Sequence, residues 1–217
     1  MLTPRFDIAR QVDLLGADSL LPPSKYVSSG ADISADGRYR YSLWREWRNH
    51  PKPAKWRWWK NDDGSAVLDG ADRPVGEPES VLFVMLNPSK ADADDDDPTI
   101  RKCVGFAKRW GYDRIDVVNL FAYRSTDPRA ILRMLYDRDP VGVRNQDVIE
   151  RKAWDAHLIV CAWGAHGSHL EQNETVRGWL MDKPLYALGF TKDGHPRHPL
   201  MLSYDTQLVK IVSGNER

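Results

Sequence analysis

An unbroken apolar run ends abruptly in polar residues in the first half of the chain. Residues 81–86 read Val-Leu-Phe-Val-Met-Leu, and Asn87-Pro88-Ser89 follow directly. A run without polar alternation predicts a strand that is buried on both faces of a parallel sheet. In open α/β sheets, ligands bind beyond the carboxyl ends of such strands. The sequence therefore predicts that Asn87 and Ser89 lie at a ligand-binding edge.

Two further apolar runs end in a similar way. Residues 115–120 carry Asn119 near their end, and residues 157–163 run through Trp163 into Gly164. Three buried strands that bring such groups to one edge favour a site for a small polar or nucleotide-like group.

Helix signals alternate with these strands. Asp97-Pro98 and Asp127-Pro128 each combine an N-cap residue with proline at the first helical position. They predict helices that reach about residue 110 and about residue 136, and further elements are predicted as helices over about 144–155, 169–181 and 204–211 and a strand over 185–188. This alternation predicts a parallel sheet with helices on both faces.

The predicted fold class is α/β, a three-layer α/β/α arrangement with a mainly parallel central sheet and an N-terminal antiparallel extension. We assign residues 1–37 to the extension and residues 38–217 to a single α/β domain. Prolines and glycines concentrate in a Trp/Arg-rich and acidic insertion at about residues 49–79. A length of 217 residues suits one such domain and is short for two.

The composition indicates where in the cell the protein resides, but it does not indicate what the protein binds. Lysine plus arginine and aspartate plus glutamate both number 31, so net charge argues neither for nor against a nucleic acid. The sequence has no apolar stretch long enough for a membrane span and no signal-peptide pattern, so we expect a cytoplasmic protein without a membrane partner. Cys103 and Cys161 fall in a predicted helix and core strand, where thiols behave as small hydrophobes.

Charge is strongly segregated along the chain. Residues 38–60 hold eight basic residues against Glu46 alone, interleaved with aromatic rings, and the balance reverses in residues 61–97. Cations neutralise phosphates and flat rings stack on bases, so this segment is a candidate nucleic-acid surface. The candidate contacts are Arg45, Arg48, Lys55, Trp56, Arg57, Trp58 and Lys60. Alternatively, residues 38–48 form an edge strand with one solvated face, and the acidic stretch forms a solvated loop.

Familiar cofactor signatures are absent. The sequence has no Gly-x-Gly-x-x-Gly, no Walker-type loop and no Gly-x-Ser-x-Gly elbow. His166 and His169 would share a helix face, but their spacing is not a recognised zinc pattern. We therefore expect no metal and no cofactor.

Several of these motifs together resemble a bacterial and phage family known only as a domain of unknown function. The resemblance covers roughly residues 38–205. It rests on Tyr39-Arg40-Tyr41, Met85-Leu86-Asn87-Pro88-Ser89, Asp96-Asp97-Pro98-Thr99, Val118-Asn119-Leu120-Phe121, Asp139-Pro140 and Trp163-Gly164. It implies no activity.

A more distant resemblance links the chain to the uracil-DNA glycosylase superfamily. Asn87-Pro88 is similar to the first motif of mismatch-type glycosylases, Trp163-Gly164 to the end of a later strand, and His198-Pro199 to the late His-Pro motif. The sequence departs from these motifs at Leu86 and Ser89, and no Ser-Pro follows Pro199.

The glycosylase resemblance implies roles for two of these residues. The Asn87 amide would position water or stabilise a sugar cation. His198 would hydrogen-bond a base oxygen that gains negative charge as the glycosidic bond breaks, in a flipped-out base.

Each candidate residue also has a structural interpretation. Asn87 and His198 could simply shape a strand end and a loop, with His195 competing for the histidine role. Asp97, the third catalytic candidate, is also an N-cap. The remaining substrate-binding candidates are Ser89, Asn119, Arg101, Arg124 and Trp163. Their structural alternatives are a strand cap, a position on a helix surface or a place in the core.

Two functions therefore follow as hypotheses. The first is an enzyme that acts on a nucleobase in DNA or a nucleotide, by N-glycosidic cleavage or by group transfer to an activated base, as in phage DNA modification. The second is a non-catalytic module on a glycosylase-like fold that binds nucleic acid or a modified base. Both take DNA or a nucleotide as the partner.

Overall fold

The computed structural model of the chain describes residues 25–47, 57–60, 66–69, 78–89, 91, 95–134 and 139–212, with the backbone alone for 57–60 and 66–69. Nine strands and four α-helices lie in these residues. The strands are β1 Ser28–Ile33, β2 Arg40–Glu46, β3 Arg57–Lys60, β4 Ala66–Asp69, β5 Ser80–Met85, β6 Arg114–Asn119, β7 Leu158–Cys161, β8 Leu185–Ala187 and β9 Val209–Lys210. The helices are α1 Pro98–Arg109, α2 Pro128–Leu132, α3 Asn145–Asp155 and α4 Gln172–Trp179.

Seven of these strands form one mixed sheet in the order β1-β2-β6-β5-β7-β8-β9. The central neighbours β6, β5, β7 and β8 pair in parallel. The pairs β1–β2, β2–β6 and β8–β9 are antiparallel. The prediction of a mainly parallel sheet thus holds for the centre only, because three of the six pairs are antiparallel. Strands β3 and β4 form a separate antiparallel pair within the predicted insertion.

The predicted strand from the apolar run is at the centre of the sheet. All six residues of β5 are buried, since β6 and β7 flank it. Alternate side chains serve two core clusters: Phe83 packs in a cluster with residues of α1, and Leu82 and Val84 pack in a cluster with residues of α2, α3 and α4. The fold is therefore mixed α/β, with a core on each side of β5.

Helix α1 begins where the sequence predicts. The Asp97 side chain accepts a hydrogen bond from the Ile100 backbone N–H at 2.8 Å, and Pro98 occupies the first turn. Gly111, with φ of 82°, follows the helix in the left-handed region that favours glycine.

Three predicted helices differ from the structure. Helix α2 ends at Leu132, whereas the sequence predicts a helix to about residue 136. Residues 204–211 do not form a helix, since Ser203 and Thr206 form a local turn and Val209–Lys210 pairs with β8. The helix predicted over 169–181 is broken instead: a 3₁₀ turn, His169–Glu171, precedes α4, and Leu170 and Glu171 have φ of 52° and 54°. No helix in the described residues is both long and apolar enough to cross a membrane.

Candidate active site

The carboxyl ends of β5, β6 and β7 lie side by side and carry polar residues. Asn87 and Ser89 follow β5, Asn119 ends β6, and Trp163 and Gly164 follow β7. Because these strands are parallel neighbours, their ends share one edge of the sheet, as the sequence predicted.

The Asn87 amide has a fixed orientation. Its Nδ2 donates to the backbone carbonyls of Ser125 at 2.9 Å and Pro88 at 3.1 Å. Both partners are carbonyl oxygens, so the NH₂ group must face them. Oδ1 is left as the acceptor that a substrate or water can use.

Ser89 and Asp97 are joined at the start of α1. The Ser89 hydroxyl donates to Asp97 Oδ2, while Asp97 Oδ1 caps the helix. Each carboxylate oxygen therefore has a protein donor. Asp97 is an N-cap first, and its charge remains close enough to influence His198.

His198 has the surroundings of a neutral imidazole. It precedes a 3₁₀ turn, Pro199–Met201, and its Nδ1 accepts a hydrogen bond from the Leu200 N–H at 3.3 Å. An accepting Nδ1 places the proton on Nε2 in the neutral ring. Burial lowers the pKa of His198 below its ordinary value, and the Asp97 charge opposes this only in part. At neutral pH the ring is thus an uncharged Nε2–H donor.

Gly164 brings the end of β7 against His198. A Cβ at Gly164 would lie 3.6 Å from the His198 Cβ, and the Gly164 N–H donates to the Pro196 carbonyl at 2.9 Å. The φ of 76° at Gly164 is one that residues with a side chain rarely adopt.

Sequence reasoning missed Asn145, the first residue of α3. Its Nδ2 donates to the carbonyls of Asn119 at 2.9 Å and Leu120 at 3.1 Å, so it fastens the end of β6. Asn119 Nδ2 and Asn145 Oδ1 are buried without a hydrogen-bond partner in the described part of the chain. An asparagine at a predicted helix start was a weak signal, because it also suits a cap.

Trp163 and His195 line a cavity of about 560 Å³. Asn173, Arg177, Phe190 and Lys210 are among its other walls. Trp163 Nε1 and Asn173 Oδ1 are buried and have no hydrogen-bond partner among the described residues. Of the predicted site residues, Ser89 and Asp97 are hydrogen-bonded and the Asp97 charge acts on His198, while Trp163 and His195 line this cavity.

The two arginine candidates hold loops. Arg101 Nη1 donates to the Asp96 carbonyl, and Arg124 Nη1 donates to the Gly37 carbonyl at 3.2 Å. Each guanidinium has further N–H groups for another anion.

Arg45 does not fit the predicted nucleic-acid surface. Its side chain is 0% exposed, and its Nε donates to Asp96 at 2.8 Å. Lys25 and Tyr26 also donate to this carboxylate. Burial would raise the pKa of Asp96, but these hydrogen bonds together lower it. The predicted edge-strand role of residues 38–48 is also wrong for β2, because β1 and β6 flank that strand.

The rest of the predicted nucleic-acid surface is not described in side-chain detail. Arg48, Lys55 and Trp56 lie outside the described residues. Arg57, Trp58 and Lys60 belong to β3, where the description covers the backbone.

Cysteine and metal chemistry find no support in the described residues. Cys103 and Cys161 are buried and free. Burial raises the pKa of both thiols, that of Cys161 to about 12, so neither is a thiolate near neutral pH. Within the described part of the chain, no three His, Cys, Asp or Glu side chains are grouped so that they could hold a metal ion.

A family model described as a protein of unknown function, DUF1643, matches residues 72–200. The chain belongs to the DUF1643 family. The DUF1643 match includes Asn87, Asp97, Trp163 and His198, and therefore the whole carboxyl edge described above. No curated protein matches the chain significantly. No solved structure matches it either.

Proposed function

We propose that this DUF1643 protein is an enzyme that acts on a nucleobase in DNA or in a nucleotide. The observation that carries the proposal is the neutral His198 donor beside Gly164 and Asp97, at the same sheet edge as the Asn87 amide. In this proposal the fold is a three-layer, uracil-DNA-glycosylase-like arrangement. The parallel order β6-β5-β7-β8, with a core cluster on each side of β5, supports that interpretation.

His198 has the chemistry that a departing base requires. When an N-glycosidic bond breaks, the bonding electrons move onto the base, and a carbonyl oxygen of the base gains negative charge. A neutral Nε2–H group stabilises that charge by donating a hydrogen bond, and it does not need to transfer its proton. Burial strengthens the interaction because less water screens it.

Asn87 would act on the other side of the bond. Its Nδ2 is held by the Ser125 and Pro88 carbonyls, so Oδ1 has a fixed direction. A carbonyl oxygen can orient a water molecule for attack at the sugar carbon, or stabilise positive charge on the sugar. In group transfer, the same oxygen would orient the incoming nucleophile instead.

Exposed apolar groups beside His198 suit contact with bases. Met201 is 88% exposed and Leu200 is 39% exposed, and both belong to the 3₁₀ turn that His198 begins. Apolar side chains that contact unstacked bases lower the cost of exposing a target base. With DNA as substrate, the protein would work in the cytoplasm of a bacterial or phage-infected host cell.

The second function, a module that binds nucleic acid without chemistry, has one observation in its favour. Both oxygens of Asp97 already accept protein hydrogen bonds, from Ser89 and Ile100. A carboxylate used in this way is a poor general base for water. The choice between the two functions therefore depends on whether Asn87 supports turnover.

Mass spectrometry of nucleosides and free bases would test the proposal. Duplex and single-stranded oligonucleotides with thymine, uracil or phosphorylated 5-hydroxymethyluracil would be incubated with the protein, with and without amino acids. We expect a released base or a mass-shifted nucleoside that disappears with Asn87→Ala and with His198→Ala. Gln146→Ala, an exposed change on α3, is the control and should keep wild-type turnover.

Binding measurements on the same variants separate the two functions. An enzyme loses turnover with Asn87→Ala and retains most of its DNA affinity. Unchanged oligonucleotides under every condition, with salt-dependent binding intact, would instead establish the binding module.

A further inference from the structure

The solvent-facing side of α1 is entirely free of carboxylates. Buried residues Ile100, Cys103, Val104, Phe106 and Ala107 occupy one side of the helix. At 100° per residue, Arg101, Lys102, Lys108 and Arg109 all fall on the opposite side, with Gly105 between them. We refer to these four cations as the basic face of α1.

Among the residues that the structure describes, the basic face lacks the ion pairs of an ordinary surface helix. In the described residues, no salt bridge involves Arg101, Lys102, Lys108 or Arg109. A solvated helix usually alternates charge so that Glu and Lys pair at i,i+4. Lys108 and Arg109 also favour the negative end of the helix dipole, but that effect does not account for the first two cations.

Aromatic rings hold three of these cations in place. Lys102 Nζ lies 3.8 Å from the centre of the Tyr204 ring, and the Arg109 guanidinium carbon lies 4.3 Å from it. Lys108 Nζ lies 5.1 Å from the Trp47 ring. Such contacts orient cations and reduce the entropy that they lose on binding.

Gly105 makes the Tyr204 position available. A Cβ at Gly105 would lie 2.4 Å from the Tyr204 hydroxyl oxygen, so only glycine lets the ring lie against the helix here. Exposed glycine inside a helix costs about 1 kcal/mol relative to alanine. The cost is offset by the Tyr204 ring, which contacts both Lys102 and Arg109.

The basic face leads towards the candidate active site. Helix α1 begins at Asp97 and packs against the 3₁₀ turn Pro199–Met201 that follows His198. Carboxylates are present at its margins, with Asp95 and Asp96 before the helix and exposed Asp205 after Tyr204. These carboxylates lie outside α1, which itself contains none and carries Lys108 and Arg109 in its last turn.

From this charge pattern we infer that the basic face of α1, with Tyr204 and Trp47, binds the phosphate backbone of a nucleic acid strand that leads into the candidate active site. The seven-residue separation of Arg101 and Lys108 corresponds to a rise of about 10 Å, or about three nucleotides of a strand. The inference rests on the proposed function for its choice of DNA as partner. Its four cations are not among the nucleic-acid contacts predicted in residues 45–60.

The salt dependence of DNA binding tests the inference. Fluorescence anisotropy would follow binding of labelled duplex and single-stranded oligonucleotides between 50 and 200 mM salt. Each lost phosphate contact lowers the slope of log K against log salt by about 0.9 for duplex DNA. The double variant Lys102→Gln with Lys108→Gln should lose about 1.8 from the slope and bind duplex DNA roughly 60-fold more weakly at 0.1 M salt.

A charge-matched double variant is the control. Arg129→Gln with Arg151→Gln removes two exposed cations from α2 and α3, whose buried residues belong to the other core cluster. It should keep the wild-type slope. Equal losses for both double variants would show a net-charge effect and overturn the inference.

The outcomes separate this inference from the proposed function. If wild-type protein binds DNA and the Lys102/Lys108 variant keeps its slope, the surface is wrong while the base chemistry stands. If the slope falls as expected but no base is altered, the surface stands and the enzyme proposal fails. If wild-type protein shows no salt-dependent DNA binding at all, the surface fails and so does the proposed function on DNA, which leaves a free nucleotide as its substrate.

Discussion

Arg45 and the cations of α1 show that basic side chains have different roles in this fold. Arg45 is fully buried against Asp96, while Lys102 and Arg109 are held on the helix surface by Tyr204. Burial of a charge is tolerated only where a partner compensates it. The partner of Arg45 is 51 residues away in the chain, so local sequence does not indicate it.

Replacement of Arg45 should therefore affect stability far more than DNA binding. We expect Arg45→Ala to lower the free energy of unfolding by about 3–5 kcal/mol, because Asp96 would lose its fully buried cation and retain Tyr26 and the half-exposed Lys25. Urea denaturation measures the loss. Arg38→Ala, which breaks the exposed pair with Asp36, serves as the control and should change stability little. A surface role for Arg45 would give the reverse: near-normal stability and weaker DNA binding.

At the scale of elements, the turn before α4 is the most unusual. Leu170 and Glu171 both lie in the left-handed region, and they interrupt what the sequence predicts as one helix. Side-chain atoms of His169, Gln172 and Asn173 are buried there, and none of them has a hydrogen-bond partner within the residues that the structure describes. Backbone in this region is strained for residues with a Cβ, and such strain often concentrates near functional sites.

Glycine at Glu171 should relieve part of this strain. Glu171 is exposed, so Glu171→Gly loses little packing, and we expect the free energy of unfolding to rise by about 0.5–1 kcal/mol. The matched change Glu150→Gly lies inside α3 and should instead lower it by roughly 0.5–1 kcal/mol. Thermal and urea unfolding of the two variants give the comparison. A loss of stability in both would show that position 171 carries no strain.

At the scale of the whole molecule, two buried carboxylates connect strands to their surroundings. Asp96 accepts from Lys25, Tyr26 and Arg45. Asp116 of β6 forms salt bridges with Arg114 and Lys152, each at 2.7 Å. Burial would raise the pKa of Asp116, but the hydrogen bond from Arg114 and the charges of Lys152 and Arg114 lower it.

These lowered pKa values predict acid sensitivity. Both carboxylates have a folded-state pKa below the ordinary value of 3.8, so their stabilisation is present above that pH and is lost as the pH falls through the folded pKa. We expect urea denaturation to show a falling free energy of unfolding from pH 5 to pH 2.5. Asp116→Asn should be less stable at pH 6 and show a shallower fall. A wild-type profile that stays flat below pH 4 would contradict this account.

Local features of this protein follow from residues that are close together in the chain. The apolar run fixed β5 as a buried strand, and Asp97-Pro98 fixed the start of α1, because burial and capping depend on residues close in the chain. The sequence also placed Asn87 and Asn119 at the ends of neighbouring parallel strands.

Contacts between groups that are distant in the chain are established by the tertiary structure. It paired Arg45 with Asp96, brought Asn145 to the end of β6, placed Trp163 and His195 in one cavity, and set Tyr204 against Gly105. It also turned the predicted last helix into a strand that pairs with β8. The physical reason is that buried charge, hydrogen bonding and sheet pairing are satisfied between segments far apart in the chain, where residue patterns carry little information about the partner.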